Sequence, residues 1–96
     1  MRMPIAPSRD EAETIAIRLV AELAERPDLL RRFLDLAGLT PDDLRARLQD
    51  PALLGAVFDF VLFDEQLTLE LADALALEAS LFGAARRQLP GAPVES

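Results

Sequence analysis

The chain has 96 residues, 51% of them hydrophobic, and a net charge of −7 from 10 basic and 17 acidic side chains. That is the size of one domain, and it is apolar enough to fold. Cysteine, histidine, tryptophan, tyrosine and lysine are absent, which excludes thiolate and imidazole chemistry, Schiff-base lysines and the phosphate-binding lysine of a P-loop. Carboxylates remain, and they alone suffice for magnesium or calcium. Gly38, Gly55, Gly83 and Gly91 are too scattered for a nucleotide-binding loop. Residues 1–7 are too short and proline-rich for a signal peptide's apolar core. Asp59 and Asp64 break the longest apolar stretches, far short of the roughly 18 residues that span a bilayer. The expectation is a cytoplasmic protein with no membrane segment and no cofactor.

Residues 1–8 read as a flexible leader, because Pro4 and Pro7 block regular structure. Ser8 and Glu11 have capping-box spacing. A first helix is predicted from Arg9 to Arg26. Ala12, Ile15, Ala16, Leu19, Val20 and Leu23 share one face of it, and Glu11, Arg18, Glu22 and Glu25 lie mainly on the other.

Pro27 interrupts and suits the first turn of a second helix, Asp28 to Ala37. Its apolar face is Leu29, Leu30, Phe33, Leu34 and Ala37, and Gly38 is placed to end it in a left-handed conformation. Thr40-Pro41-Asp42-Asp43 is the sharpest local signal: a cap, a proline, then acids in the first turn. It opens a short third helix, Pro41 to Gln49, with Leu44 and Leu48 inward.

Asp50-Pro51 repeats the device and opens a fourth helix, Pro51 to Phe63, apolar nearly all round. Such a helix belongs in the middle of a bundle. A strand over 57–63 competes on propensity, but no second strand is available to pair with it. Asp64 caps a fifth helix, Glu65 to Leu75. Propensity alone would carry that helix on to Gln88. A break near Ala76 is preferred because residues 34–40 are weakly echoed at 72–78, a period of 38 that sets Ala76 against Gly38. Residues 90–96 read as a disordered tail. The predicted fold is all-α: a compact orthogonal bundle of five to six short helices in one domain, 9–89.

The run Pro27-Asp28-Leu29-Leu30-Arg31-Arg32-Phe33-Leu34, continuing through Gly38-Leu39-Thr40-Pro41-Asp42-Asp43-Leu44-Arg45, has a companion in Phe58, Leu62, Asp64-Glu65 and Leu67. Together they resemble a family of short proteins of unknown function found mainly in alphaproteobacteria, over roughly residues 11–89. The resemblance implies an all-helical bacterial protein with no assigned activity, so no catalytic residue is carried over. The family's late glycine and helix-opening proline are replaced here by Ala76 and Ala79.

Asp42 and Asp43, and again Asp64 and Glu65, flank helix starts. There they serve free backbone N–H groups and the helix dipole. The sharper alternative is a carboxylate-dependent metal-binding enzyme, which needs two or more of Asp42, Asp59, Asp64 and Glu65 in one pocket. Asp59 is the lone charge inside the apolar run 52–63. It must reach solvent at the helix rim or pair with an arginine such as Arg18 or Arg86.

Residues 28–48 have a helix–turn–helix look that raises nucleic acid as a further alternative. However, Asp42 and Asp43 would open the recognition helix, and the stretch from Asp35 to Glu78 carries ten acids against two arginines. That surface repels phosphates.

The more informative anomaly is apolar excess. A domain of this size buries about 60–65% of its unfolded surface, so some large side chains must stay exposed or enter an interface. Leu36, Phe60, Phe63, Leu69 and Leu81 are the candidates, for a homodimer or a protein partner. Exposed single leucines are also ordinary. A small protein-interaction or structural protein is the functional expectation.

Overall fold

An oxygen-bearing residue followed by proline starts a helix because the side chain accepts a free backbone N–H and the ring presets φ. In the computed structural model, which describes residues 6–91, six helices follow in order: α1 Arg9–Ala24, α2 Pro27–Ala37, α3 Pro41–Ala46, α4 Pro51–Leu62, α5 Glu65–Leu75 and α6 Ser80–Arg86. All four expected caps are in place. Ser8 Oγ accepts the Glu11 N–H at 3.1 Å, and Thr40 Oγ1 accepts the Asp43 N–H at 3.0 Å. Glu11 and Asp43 reach back to the N–H groups of Ser8 and Thr40, completing two capping boxes. Asp50 accepts from Ala52 and Asp64 from Leu67.

α2 starts at Pro27, one residue before the expected Asp28, and three expected helix ends shift. α1 stops at Ala24, not Arg26, because the ring of Pro27 disfavours helical geometry at Arg26, which sits at φ −126°, ψ 82°. α3 stops at Ala46, not Gln49: Arg47 leaves helical geometry and its guanidinium turns to Asp50 at 2.9 Å. α4 stops at Leu62, one residue before the expected end, Phe63. The apolar run 57–63 is helical up to Leu62 and not a strand.

All six residues of the predicted α1 stripe are buried. They meet Leu53, Leu54, Val57, Phe58 and Val61 of α4, Leu71 and Leu75 of α5, and Phe82 and Ala85 of α6 in one core. α4 packs against α1, α2, α5 and α6, so it is the central helix that its composition predicts. Phe58 and Phe82 anchor the centre, with ring centroids 6.2 Å apart. The Thr68 hydroxyl lies 2.7 Å from the Val61 carbonyl and 3.0 Å from that of Asp64, tying the start of α5 to the end of α4.

The weak echo has a structural counterpart. α2 and α5 each have 11 residues, and each ends in a left-handed residue, Gly38 at φ 71° and Ala76 at φ 58°. The next N–H closes back in the same way, Leu39 onto the Leu34 carbonyl and Leu77 onto that of Ala72, both at 2.9 Å. These are two Schellman motifs. Residues 65–88 are therefore two helices. The likeness stops there: α3 buries only Leu44, whereas α6 buries three side chains against α1 and α4.

Residues 1–5 of the expected leader and 92–96 of the expected tail lie outside the described residues. Of the remainder, Pro7 is buried, and the carbonyls of Pro90 and Gly91 accept hydrogen bonds from Arg86.

Candidate functional site: an apolar groove between α2 and α4

Helical spacing sets Phe33, Leu36 and Ala37 along one side of α2, and Ala56, Phe60 and Phe63 along one side of α4 and its end. The two rows line a groove of about 730 Å³. Phe33 and Phe60 form its floor, edge to face at 5.5 Å and 65°. Leu36 and Phe63 stand at its rim with 74% and 93% of their surface exposed. Leu67 of α5 and the charged side chains of Arg32, Asp59, Asp64 and Glu65 complete the lining.

Of the five apolar candidates, Leu36, Phe60 and Phe63 thus come together. Leu69 is exposed but lies elsewhere on α5, and Leu81 is half-buried beside a smaller cleft with Pro7 and Ile15. Ile17 is a further exposed apolar side chain, hidden in the sequence between the buried positions Ala16 and Leu19. Ala37, expected on the buried face of α2, is exposed, because α2 is covered on one side only.

Asp59 is explained by Arg86. Arg86 is 5% exposed, and all five N–H groups of its guanidinium are used. Nε and Nη2 grip the Asp59 carboxylate at 2.7 and 3.1 Å. Nη1 donates to the carbonyls of Leu89 and Pro90, and Nη2 also donates to that of Gly91. Of the two alternatives read from the sequence, solvent at the helix rim or an arginine partner, Asp59 takes the second with Arg86 while keeping part of the first. The carboxylate stays 46% exposed, but it neutralises a cation that a burial this deep would otherwise leave unpaired.

Gly55 makes room for the arrangement: a Cβ there would stand 2.9 Å from Arg86 Nη1 and 3.2 Å from the Pro90 carbonyl oxygen. Arg18 turns to structure instead. Its Nη2 donates to the Leu75 carbonyl at 3.1 Å, holding the end of α5.

The acids divide by task. Asp42 is exposed and pairs with Arg45 across the surface of α3. The Thr40 N–H and hydroxyl hold the Asp43 carboxyl below the ordinary 3.8. Arg47, and then the Ala52 N–H, do the same for Asp50. Three of the four acids proposed for a metal enzyme, Asp59, Asp64 and Glu65, line the groove. Asp59 is engaged by Arg86 and Asp64 by the Leu67 N–H, whereas the Glu65 carboxylate makes no hydrogen bond or ion pair among the described residues. Among the described residues no three acids are grouped to hold a metal ion, and no helix is long and apolar enough to cross a membrane.

The family described as "Protein of unknown function (DUF3572)" matches residues 9–92. No curated protein and no solved structure matches the chain.

Proposed function

We propose the following role for a chain that belongs to the DUF3572 family of proteins of unknown function: it is a small interaction protein that takes an apolar segment of a partner protein into the groove between α2 and α4. The observation that carries this reading is Phe63. A phenylalanine 93% exposed, beside an exposed Leu36 and over an aromatic floor, costs about 2 kcal/mol of unburied apolar surface in the free chain. Binding recovers that energy. Three large apolar side chains around one concavity supply the central anchor that dominates protein interfaces. An alphaproteobacterial source and a cytoplasmic location belong to the same proposal, the source resting on the resemblance of the Pro27–Arg45 run.

The carboxylate-enzyme alternative draws on Asp59, Asp64 and Glu65 lining the same groove. It is the weaker reading, because a carboxylate locked by a guanidinium and one spent on a helix cap are poor metal ligands.

Selection of peptides from a displayed random library tests the docking reading. The native chain and a Phe63→Asp (F63D) variant serve as the two targets. Expected are peptides enriched on the native chain and lost on the variant. Peptides that bind both equally, or no enrichment at all, would overturn it.

A further inference from the structure

We infer that the groove's occupant is a basic amphipathic helix, an inference that rests on the docking reading above. The shape argument comes from the walls. α2 presents side chains at i, i+3 and i+4, and α4 with its end at i, i+3, i+4 and i+7, on either side of one trough, and a third helix fits such a trough by placing its own apolar stripe at the same spacing.

The charge argument selects the flanks of that helix. Arg32 is the one cation among the lining residues, against Asp59, Asp64 and Glu65. The last turns of α2 and α4 both reach the groove, and neither carries a basic residue. The carbonyls there that the Schellman turn and Thr68 do not take up add the negative ends of two helix dipoles to the acids, offset in part by the positive end of α5 at Glu65. The Arg86–Asp59 pair removes one negative charge, but Glu65 and Asp64 keep theirs at the mouth. The whole chain, at −7, extends the same sign outward. A second copy of this chain is the wrong occupant, since it would set acids against acids around both rims. A helix with arginine or lysine on either side of an apolar stripe meets Glu65 and the helix ends with the complementary sign.

Two 16-residue helical peptides test the inference. They share one stripe of leucine and phenylalanine and differ only in arginine or glutamate at the flanks. Each carries a fluorescent label for anisotropy against the native chain. The arginine peptide is expected to bind at least about tenfold more tightly than the glutamate peptide, with the difference shrinking at high salt. Phe63→Asp should abolish binding, and Glu65→Arg (E65R) should narrow or reverse the preference. Equal binding of the two peptides, still lost in Phe63→Asp, overturns the basic partner and leaves the docking reading standing. If neither binds while displayed peptides still depend on Phe63, the helical basic occupant is wrong. If that selection fails as well, the docking reading falls with it. A chain that is already a dimer, and that Phe63→Asp converts to a monomer, makes the second copy the occupant and overturns the inference.

Discussion

Arg86 and Gly55 form a lock in which each residue makes sense only through the other. A guanidinium buried against α4 needs a position without a Cβ, and Gly55 supplies it in the interior of a helix, where glycine costs about 1 kcal/mol relative to alanine. Gly55→Ala (G55A) should therefore destabilise the protein by about 1–3 kcal/mol despite the better helix former, because neither the fully bonded guanidinium nor the Pro90 carbonyl has room to yield. In an Arg86→Met (R86M) background the same change should cost less or stabilise, since the guanidinium clash is gone and only the Pro90 carbonyl contact opposes the gain in helix propensity. Urea denaturation of the four-member cycle measures this, and equal effects in both backgrounds would refute the lock. Arg86→Met alone should cost about 2–3 kcal/mol through the hydrogen bonds lost from a charged group and the carbonyls left behind. Asp59 was conspicuous in the sequence as a lone charge in an apolar run. Its partner was one of two arginines named, but the glycine opposite carried no signal, because the need for a missing Cβ arises only when α6 is laid on α4.

At the scale of the helix, starts were more legible than stops. A Ser, Thr or Asp cap acts within three residues, so sequence neighbours suffice to see it. The ends of α1 and α3 depend on how the chain turns toward the next helix. The end of α5 was legible only through its likeness to Gly38, since alanine is a poor left-handed residue. Ala76→Gly (A76G) should accordingly stabilise the fold by about 0.5–1 kcal/mol, the left-handed strain relieved less the extra chain entropy of glycine. Gly38→Ala (G38A) should destabilise it by about 1 kcal/mol. Thermal melts of the two variants check the pair, and a destabilised Ala76→Gly would contradict the motif.

The caps also set a pH dependence. Asp43 and Asp50 hold their carboxyls below 3.8, so the unfolded chain binds protons more readily than the folded one. Their contribution is fully present above the ordinary value of 3.8 and is lost as the pH falls through the lower, folded values. The melting temperature should be insensitive to these two groups near neutrality and decline below about pH 4. An Asp43→Asn, Asp50→Asn double variant should show a shallower decline in a melting series across that range.

For the whole molecule, the apolar excess read from composition resolves into a place. One six-helix core takes the α1 stripe, most of α4 and the inner faces of α5 and α6, and what remains over gathers between α2 and the end of α4. The sequence named Leu36, Phe60 and Phe63 as surplus without knowing that they were neighbours. Their neighbourhood depends on the α2–α4 packing, which no local pattern encodes. Leu69 and Ile17 show the other fate of surplus apolar residues, exposed apart from the groove and ordinary. Because Phe63 contributes little to the core, Phe63→Asp should leave urea stability within about 0.5 kcal/mol of the native chain, a property that makes it a clean probe of the groove.

The central claim is that this groove stands open on a single chain and serves a partner other than itself. Absolute mass by light scattering behind a sizing column, over a wide range of concentration, tests it most directly. The account predicts the mass of one chain, 10.5 kDa, throughout, unchanged by Phe63→Asp. A dimer that holds its mass on dilution and falls to one chain in Phe63→Asp would contradict it, because the groove would then already be filled by a second copy.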